Sequence, residues 1–530
     1  MTIQRMTSTG LAAVTRQRLT SAGLVGDVRY RDSSSGLVEV IGGGGSGTTG
    51  TLSNIKGFTI GTYSDWGNYQ SNGAALGLGG LGNGAYWSTA QTLPALIQSY
   101  GGNSVALMSQ YYYSNFGSTD LATSGTTANS TTYAALTMTA ITQMTSIIKG
   151  LGMKVILKPH NGIGDSWIQS TWIPLGQFSI SGWGGYSNVA SYNTGSSTIS
   201  CSGSVMNLTS PPFGPAVTPG WRVVCLNTNG YWGNNPNDIP NSYYTTPYAT
   251  GPALACSTVG SVLSSNSFTL ANAAGTAIHP NANSSGAVMV VVIPPDVVGG
   301  PAQAAFDAWQ TVLLNSIAAA EAGGGCDACD MATEHELWTR YFPVMWRNLI
   351  SNIRAQYPNV LLFVQASEGL DYGGDCNFID ALDAIGMSAY PSVGNSGGGD
   401  NQTSVNNLWV GSVTGTNPSG SINAAAFSAA WGGKQLIFGE LGCCSVYNAC
   451  YYPGSYGGQA SMFNPATEQT MWWNGFWNAC GGQSWFGGFM WWTGFTAYNW
   501  ANSSPPGQYS DEASYEPKLT TTNAMKVSLL

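Results

Sequence analysis

Apolar and polar positions along the chain fall into two rhythms. Short runs of β-branched, aromatic and other apolar residues recur: KGFTIGTY (56–63), NSVALMSQYYY (103–113), KVILKPH (154–160), ACDMATEHE (328–336), VLLFVQAS (360–367), AIGMSAYP (384–391), KQLIFGE (434–440) and FGGFMWWTGF (486–495). Their length and their bounding glycines and prolines predict strands. Between them lie stretches with apolar residues at helical spacing, over 131–152, 301–322, 341–358 and a Trp-rich segment near 468–480. A strand followed by a helix or a long loop, eight times over from Phe58, predicts an α/β chain closed into a (β/α)8 TIM barrel. Such a barrel builds its site at the C-terminal ends of the strands.

Between residues 176 and 290 the rhythm changes. The segment is rich in Ser, Thr, Asn, Gly and Pro, and short runs such as SVMNLT, WRVVCL and SFTLAN are separated by turn signals. This predicts an inserted β-rich module after strand three, either carbohydrate-binding or trimerising. Residues 1–54 end in the glycine linker IGGGGSGTTG and read as a separate N-terminal arm. The expected organisation is therefore 1–54 arm and linker, 55–175 first part of the barrel, 176–290 insert, and 291–530 second part of the barrel.

Composition narrows the chemistry. Only 8% of the 530 residues are Asp, Glu, Lys or Arg, against about a quarter in an ordinary soluble domain. Polar character comes instead from Ser, Thr, Asn and Gln beside 71 glycines, 19 tryptophans and 26 tyrosines, a palette suited to neutral, hydroxyl-rich ligands. With 16 basic against 25 acidic residues, nucleic acid is excluded as a partner, because its binding needs clustered Lys and Arg. No apolar run is long enough for a membrane span, and the N-terminus lacks the apolar core of a classical signal peptide. Of ten cysteines, Cys326 and Cys329 form a C-x-x-C pair with no second pair at zinc-ribbon distance. Disulfides or free thiols are thus expected over a metal site. Cys443, Cys444, Cys450 and Cys480 crowd the last quarter, which hints at an oxidising destination reached without a signal peptide. The expected location is extracellular or virion-associated.

Scarce charge makes the acids at strand ends informative. Glu440 ends strand seven, and Glu334 or Glu336 ends strand four. Glu336 rivals Glu334 because residues two apart on a strand share a face. Two carboxylates converging over a barrel mouth suit glycoside hydrolysis, in which one protonates the leaving oxygen and the other attacks the anomeric carbon.

From Lys56 to about Leu519, outside the insert, the chain resembles the clan A (β/α)8 glycoside hydrolases, closest to family 113, and the barrel hydrolase domain of phage-tail-type proteins. The resemblance rests on GGNSVAL, IIKGLGMKVILKPHNGIGDSW, ATEHEL with WRNLISNIRAQYPNVLLF, LDAIGMSAYPSV, GGKQLIFGELGCCS, WFGGFMWWTGF and the closing YSDEASYEPKLTTTNAM. It implies a retaining enzyme with Glu334 as acid/base and Glu440 as nucleophile, although Ala332 stands where the family usually has Gly. At the same mouth, His160 is expected to bond a sugar hydroxyl, Lys158 to partner a carboxylate, and Tyr390 to orient the nucleophile. Trp491 and Trp492 must face opposite ways, and Trp492 is the one expected to floor the sugar. Trp167 and Tyr112, within the Tyr111 to Tyr113 run, are expected to add stacking surface. Asp380 and Asp383 precede strand six at the far end and are expected to be structural. Neither metal nor cofactor is expected.

The reading is an endo-acting hydrolase of a neutral or bacterial surface polysaccharide, a phage-borne depolymerase whose arm engages virion tail components. The insert reshapes the cleft, so the family's mannan-type substrate is not carried over. A cell-wall lysin of muramidase type and a non-catalytic glycan-binding tail protein remain as alternatives.

Overall fold

The computed structural model of the chain describes residues 16–20, 23–33, 36–40, 54–60, 91–113, 121–122, 126–128, 131–133, 138–163, 177–180, 199–202, 205–208, 218–227, 257–264, 267–271, 288–367, 378–417, 422–445, 448–453, 467–492, 517 and 519–530. Eight strands form the barrel: β1 (Ile55–Ile60), β2 (Ser104–Tyr113), β3 (Lys154–Ile163), β4 (Ala328–Thr333), β5 (Leu361–Ser367), β6 (Ile385–Ala389), β7 (Leu436–Leu441) and β8 (Phe486–Trp491). Each runs parallel to the next, and β8 pairs in parallel with β1, so the sheet closes and leaves no edge among these strands. The barrel predicted from the sequence is present.

The helices are α1 (Leu93–Ser99), α2 (Met138–Gly150), α3 (Gln303–Ala322), α4 (Glu336–Tyr341), α5 (Pro343–Gln356), α6 (Gln402–Thr414), α7 (Ala424–Ala430), α8 (Thr467–Cys480) and α9 (Leu519–Leu529). Sequence periodicity placed a helix over 131–152, and this start needs correction. Thr131–Tyr133 is extended and pairs antiparallel with Thr126–Ala128, while α2 begins only at Met138. Consecutive β-branched threonines favour the extended backbone there. Helix α6 lacked a strong apolar period, yet its ends are well determined. Asn401 and Ser404 cap its start reciprocally, and Gly415 closes it in the left-handed region at φ 81°.

Two apolar layers hold the barrel. Ile55, Ala106, Ile156, Ala328, Phe363, Ala384, Ile437 and Met490 form a buried cluster to which every strand or its immediate start contributes one residue, filling the inside. The alternate residues of the strands, including Phe58, Val105, Val155, Phe438 and Phe489, pack outward against the helices with Trp309, Trp346, Trp409, Trp472 and Trp473. Charged groups secure the N-terminal ends of the strands. Asp327 accepts from Val155 N at 2.7 Å and pairs with Lys149, and Asp383 accepts from Leu362 N at 2.7 Å and from Arg354 at 2.9 Å. Asp380 meets Arg347 at the same end, which makes both acids before strand six structural.

The segment between β3 and α3 contains one seven-stranded sheet, whose strands lie in the order Gln177–Ile180, Val288–Ile293, Arg222–Asn227, Ser257–Ser264, Ser267–Ala271, Val205–Leu208 and Ile199–Ser202. All its pairings are antiparallel. Its first and last strands in sequence are hydrogen-bonded neighbours, with Gln177 opposite Val292, so the chain enters and leaves at one place. Within the N-terminal arm, Arg16–Thr20, Gly23–Ser33 and Gly36–Val40 form a three-stranded antiparallel sheet.

Candidate active site

The strands alternate, so one repeat above the inner apolar layer each should again point into the barrel. Lys158 lies two residues beyond Ile156, Asp330 two beyond Ala328, Gln365 two beyond Phe363, and Trp492 two beyond Met490. At this level the interior turns polar. Lys158 is fully buried, and its ammonium faces Glu440 Oε1 at 3.2 Å and Asp330 Oδ2 at 3.3 Å. It also donates to Gln365 Oε1 at 2.5 Å, Thr333 Oγ1 at 3.2 Å and the Gly439 carbonyl at 3.2 Å.

Two irregular strand ends bring the acids in. In β7, Phe438 points outward to α8, so strict alternation would send Glu440 outward as well. The register between β6 and β7 slips at this point, where Met387 pairs with Phe438 but the next residue, Ser388, pairs with Glu440. This bulge turns the Glu440 carboxylate into the barrel. In β4, Asp330 pairs with Phe363, but Thr333 pairs with Gln365, an extra residue that lets Asp330 and Thr333 both reach Lys158 despite their odd spacing. Beyond it, Glu334 adopts φ 55°, and its N–H donates to the Gln365 carbonyl at 2.8 Å. A left-handed non-glycine residue costs on the order of 1–3 kcal/mol and is characteristic of functional positions. The strand ends at Thr333 and Glu336 opens α4, so the shared-face argument for Glu336 as Glu334's rival does not apply. The side chain of Glu336 lies outside the described residues.

Glu440 is held at both oxygens. Oε1 faces Lys158, and Tyr390 donates its phenol hydrogen to Oε2 at 3.1 Å. Burial raises the carboxyl pKa above its ordinary value, an effect opposed by the Lys158 charge and by the Lys158 and Tyr390 hydrogen bonds. His160 stacks on Trp492, with ring centroids 5.6 Å apart and planes 5° from parallel. Its Nε2 is 3.7 Å from Glu440 Oε1 and has no hydrogen-bond partner among the described residues. Burial, then the Lys158 and His335 charges, push its pKa well down, so the ring is neutral. The Trp492 ring also receives the Lys158 ammonium at 5.6 Å from its centroid, while Trp491 is wholly buried against Trp472 and Trp473. His335 is fully buried beside Trp309 and Trp338, and burial lowers its pKa to about 3.

Of the residues singled out in the sequence, Lys158, His160, Tyr390, Glu440 and Trp492 converge, and Glu334 stands at the end of the neighbouring β4. Trp167 and the Tyr112 side chain lie outside the described residues. Tyr111, from the same run, is buried against Trp309 with its hydroxyl 3.4 Å from Ser316, and so belongs to the core. Sequence reasoning missed Asp330, Thr333, Gln365 and Ser388, the last accepting from Gln365 Nε2 at 2.6 Å. The available signal was Lys158 itself, an interior lysine that needs a buried acid on an adjacent strand. Cys326, Cys329, Cys443, Cys450 and Cys480 are buried free thiols, Cys444 is likewise buried, and among the described residues no three His, Cys, Asp or Glu side chains group as metal ligands.

The family model for glycoside hydrolase family 113 matches residues 303–511, a span that contains β4 to β8 and both Glu334 and Glu440. Among solved structures, a family 113 β-1,4-mannanase is similar at 14% identity, covering 90% of this chain and 99% of that one with a TM-score of 0.46. The family 113 β-mannanase AaManA from Alicyclobacillus acidocaldarius is similar at 16% identity, with 90% and 96% covered and a TM-score of 0.46. A family 5 mannosidase from Rhizomucor miehei follows at 12% identity, with 94% and 96% covered and a TM-score of 0.42. Comparison with curated proteins produced no match. With a match to the family 113 model over residues 303–511 on a closed eight-stranded parallel barrel, the chain is a (β/α)8 glycoside hydrolase similar to family 113 over that span.

Proposed function

We propose that this hydrolase cleaves a neutral, hydroxyl-rich polysaccharide within its chain, with Glu440 as nucleophile and Glu334 as acid/base. The seat of Glu440 carries the reading. Its carboxylate at the mouth of the barrel is held between a buried ammonium and a phenol, beside a half-buried Trp492 stacked on a neutral imidazole. The ammonium opposes the rise that burial imposes on the carboxyl pKa, and the phenol fixes the direction of the carboxylate. The indole offers a flat apolar surface for a pyranose ring. Nε2 of His160, buried and without a hydrogen-bond partner among the described residues, is a ready donor or acceptor for a sugar hydroxyl. If the glycine-linked arm of residues 1–54 is a virion anchor, the substrate is a bacterial surface polysaccharide.

The test is a panel of plant, fungal and bacterial polysaccharides screened for new reducing ends. At least one neutral polymer should be cut into oligosaccharides, and Glu440→Gln and Glu334→Gln should each slow its turnover by at least about a thousandfold, on the order of 4 kcal/mol in the barrier. Near-normal hydrolysis by either variant would remove that residue from its role. Activity lost in Glu336→Gln but kept in Glu334→Gln would transfer the acid role to Glu336.

A further inference from the structure

Lys158 has more negative partners than one catalytic carboxylate requires. Besides Glu440, its ammonium faces Asp330, which is fully buried and fixed in place: Oδ2 accepts from Thr333 Oγ1 at 2.8 Å, and Oδ1 from Ala332 N at 3.3 Å. Two carboxylates thus share one buried ammonium. A buried carboxylate beyond what neutrality needs is costly. Its presence calls for a state of the site in which the first carboxylate is no longer charged.

Hydrolysis through a glycosyl ester creates that state. In the first step a Glu440 oxygen bonds to the anomeric carbon as the bond from that carbon to the leaving oxygen breaks. The electron pair stays with the leaving oxygen, which takes the proton of Glu334. The Glu440 charge has then been lost into a neutral ester. In the second step water adds to the anomeric carbon and gives a proton to Glu334, while the electron pair of the ester bond returns to Glu440. Were Glu440 its only partner, Lys158 would be a buried ammonium with no counter-ion throughout the life of the ester.

We propose that Asp330 is a positioning residue, the standing counter-ion of Lys158, whose fixed carboxylate balances the buried ammonium and holds it in place while Glu440 is esterified. The proposal rests on the reading of Glu440 as nucleophile. In the resting enzyme Asp330 has a second effect, since its charge offsets part of the pull of Lys158 on Glu440. Among the described residues, the charged and titratable groups that face the pair are Lys158 and His160 from β3, Tyr390 after β6, and His335 beyond β4 through its effect on His160, with Glu334 next to His335 in the chain. Thr333, Gln365 and Ser388 complete the surroundings as neutral hydrogen-bonding groups.

Two measurements test this without any substrate, so they stand or fall separately from the sugar chemistry. Glu440→Gln imitates the uncharged ester, and Asp330→Asn removes the proposed counter-ion. Urea unfolding of wild type, both single variants and the double variant should show each single variant folded, because one carboxylate still faces Lys158. The double variant should lose far more stability than the two single losses together. Additive losses would overturn the proposal, as would an Asp330→Asn protein that fails to fold while Glu440 is intact. In the second measurement, protein labelled with carbon-13 at glutamate carboxyls is titrated by NMR, with the Glu440 signal assigned by its loss in Glu440→Gln. In Asp330→Asn the Glu440 midpoint should fall by about one pH unit, the effect of removing a nearby like charge. An unmoved midpoint would reduce Asp330 to a packing role and sink the idea.

Discussion

His335 is enclosed by Trp309 and Trp338, and neither of its ring nitrogens has a hydrogen-bond partner. Burial lowers its pKa to about 3, whereas the unfolded chain titrates near the ordinary 6.5. The unfolded state therefore takes up the proton first. The stability contribution is fully present above about pH 6.5 and is lost as the pH falls toward the folded pKa. Between pH 7 and pH 4.5 this one residue should remove about 2.5 kcal/mol. Urea midpoints at the two pH values should differ accordingly in wild type and much less in His335→Leu. His160 is shifted in the same direction, and Glu440, whose pKa is raised, acts in the opposite sense. Both remain in the variant, so the comparison isolates His335. Equal pH dependence in the two proteins would show that this histidine is not the buried neutral base described.

At the scale of single strands, the site depends on backbone irregularity and on glycines that permit close approach. A Cβ at Gly439 would collide with the Gln365 amide oxygen that receives Lys158, so the residue before Glu440 has no room for a side chain. Gly488 opens the parallel pairing of β8 with β1 at φ 135°, where a Cβ would run into the Ile55 backbone. Both the dihedral angle and the contact exclude other residues. Gly488→Ala should cost more than about 2 kcal/mol, combining backbone strain with overpacking. Gly482→Ala, at a position with open space around the Cβ, should change little. Unfolding midpoints measured side by side check the contrast, and equal midpoints would mean that barrel closure does not pass through this contact.

Over the whole molecule, the chemistry requires strand ends four and seven to face one another across the barrel mouth. If they carry the acid/base and the nucleophile, their carboxyl groups should stand at the roughly 5 to 5.5 Å separation of retaining enzymes, too close to admit a water between acid and sugar. Proton NMR of the first product, recorded before mutarotation, should show the anomeric configuration of the substrate, and a mechanism-based fluorosugar should label Glu440. An inverted first product would contradict this geometry even with the barrel and the hydrolysis intact.

Periodicity by itself determined the eight strands, four of the longer helices and the β-rich insert, because burial on one face imposes alternation on strands and a 3.6-residue repeat on helices. It also marked Glu440, Lys158, His160, Tyr390 and Trp492 as residues at strand ends, where a barrel collects its chemistry. Alternation could not yield the direction in which Glu440 points. Counting outward from Phe438 places the carboxylate on the wrong face, and only the slipped register between β6 and β7 turns it inward. The same holds for Asp330 and Thr333, whose joint grip on Lys158 needs the extra residue in β4. Helix α1 is one turn-rich heptad, too short for a period to stand out, and Thr131–Tyr133 was drawn into a helix until a cross-strand partner claimed it. Local sequence encodes which face of an element is apolar. Which polar groups share a buried charge depends on register between strands far apart in the chain, and that is decided only when the barrel closes.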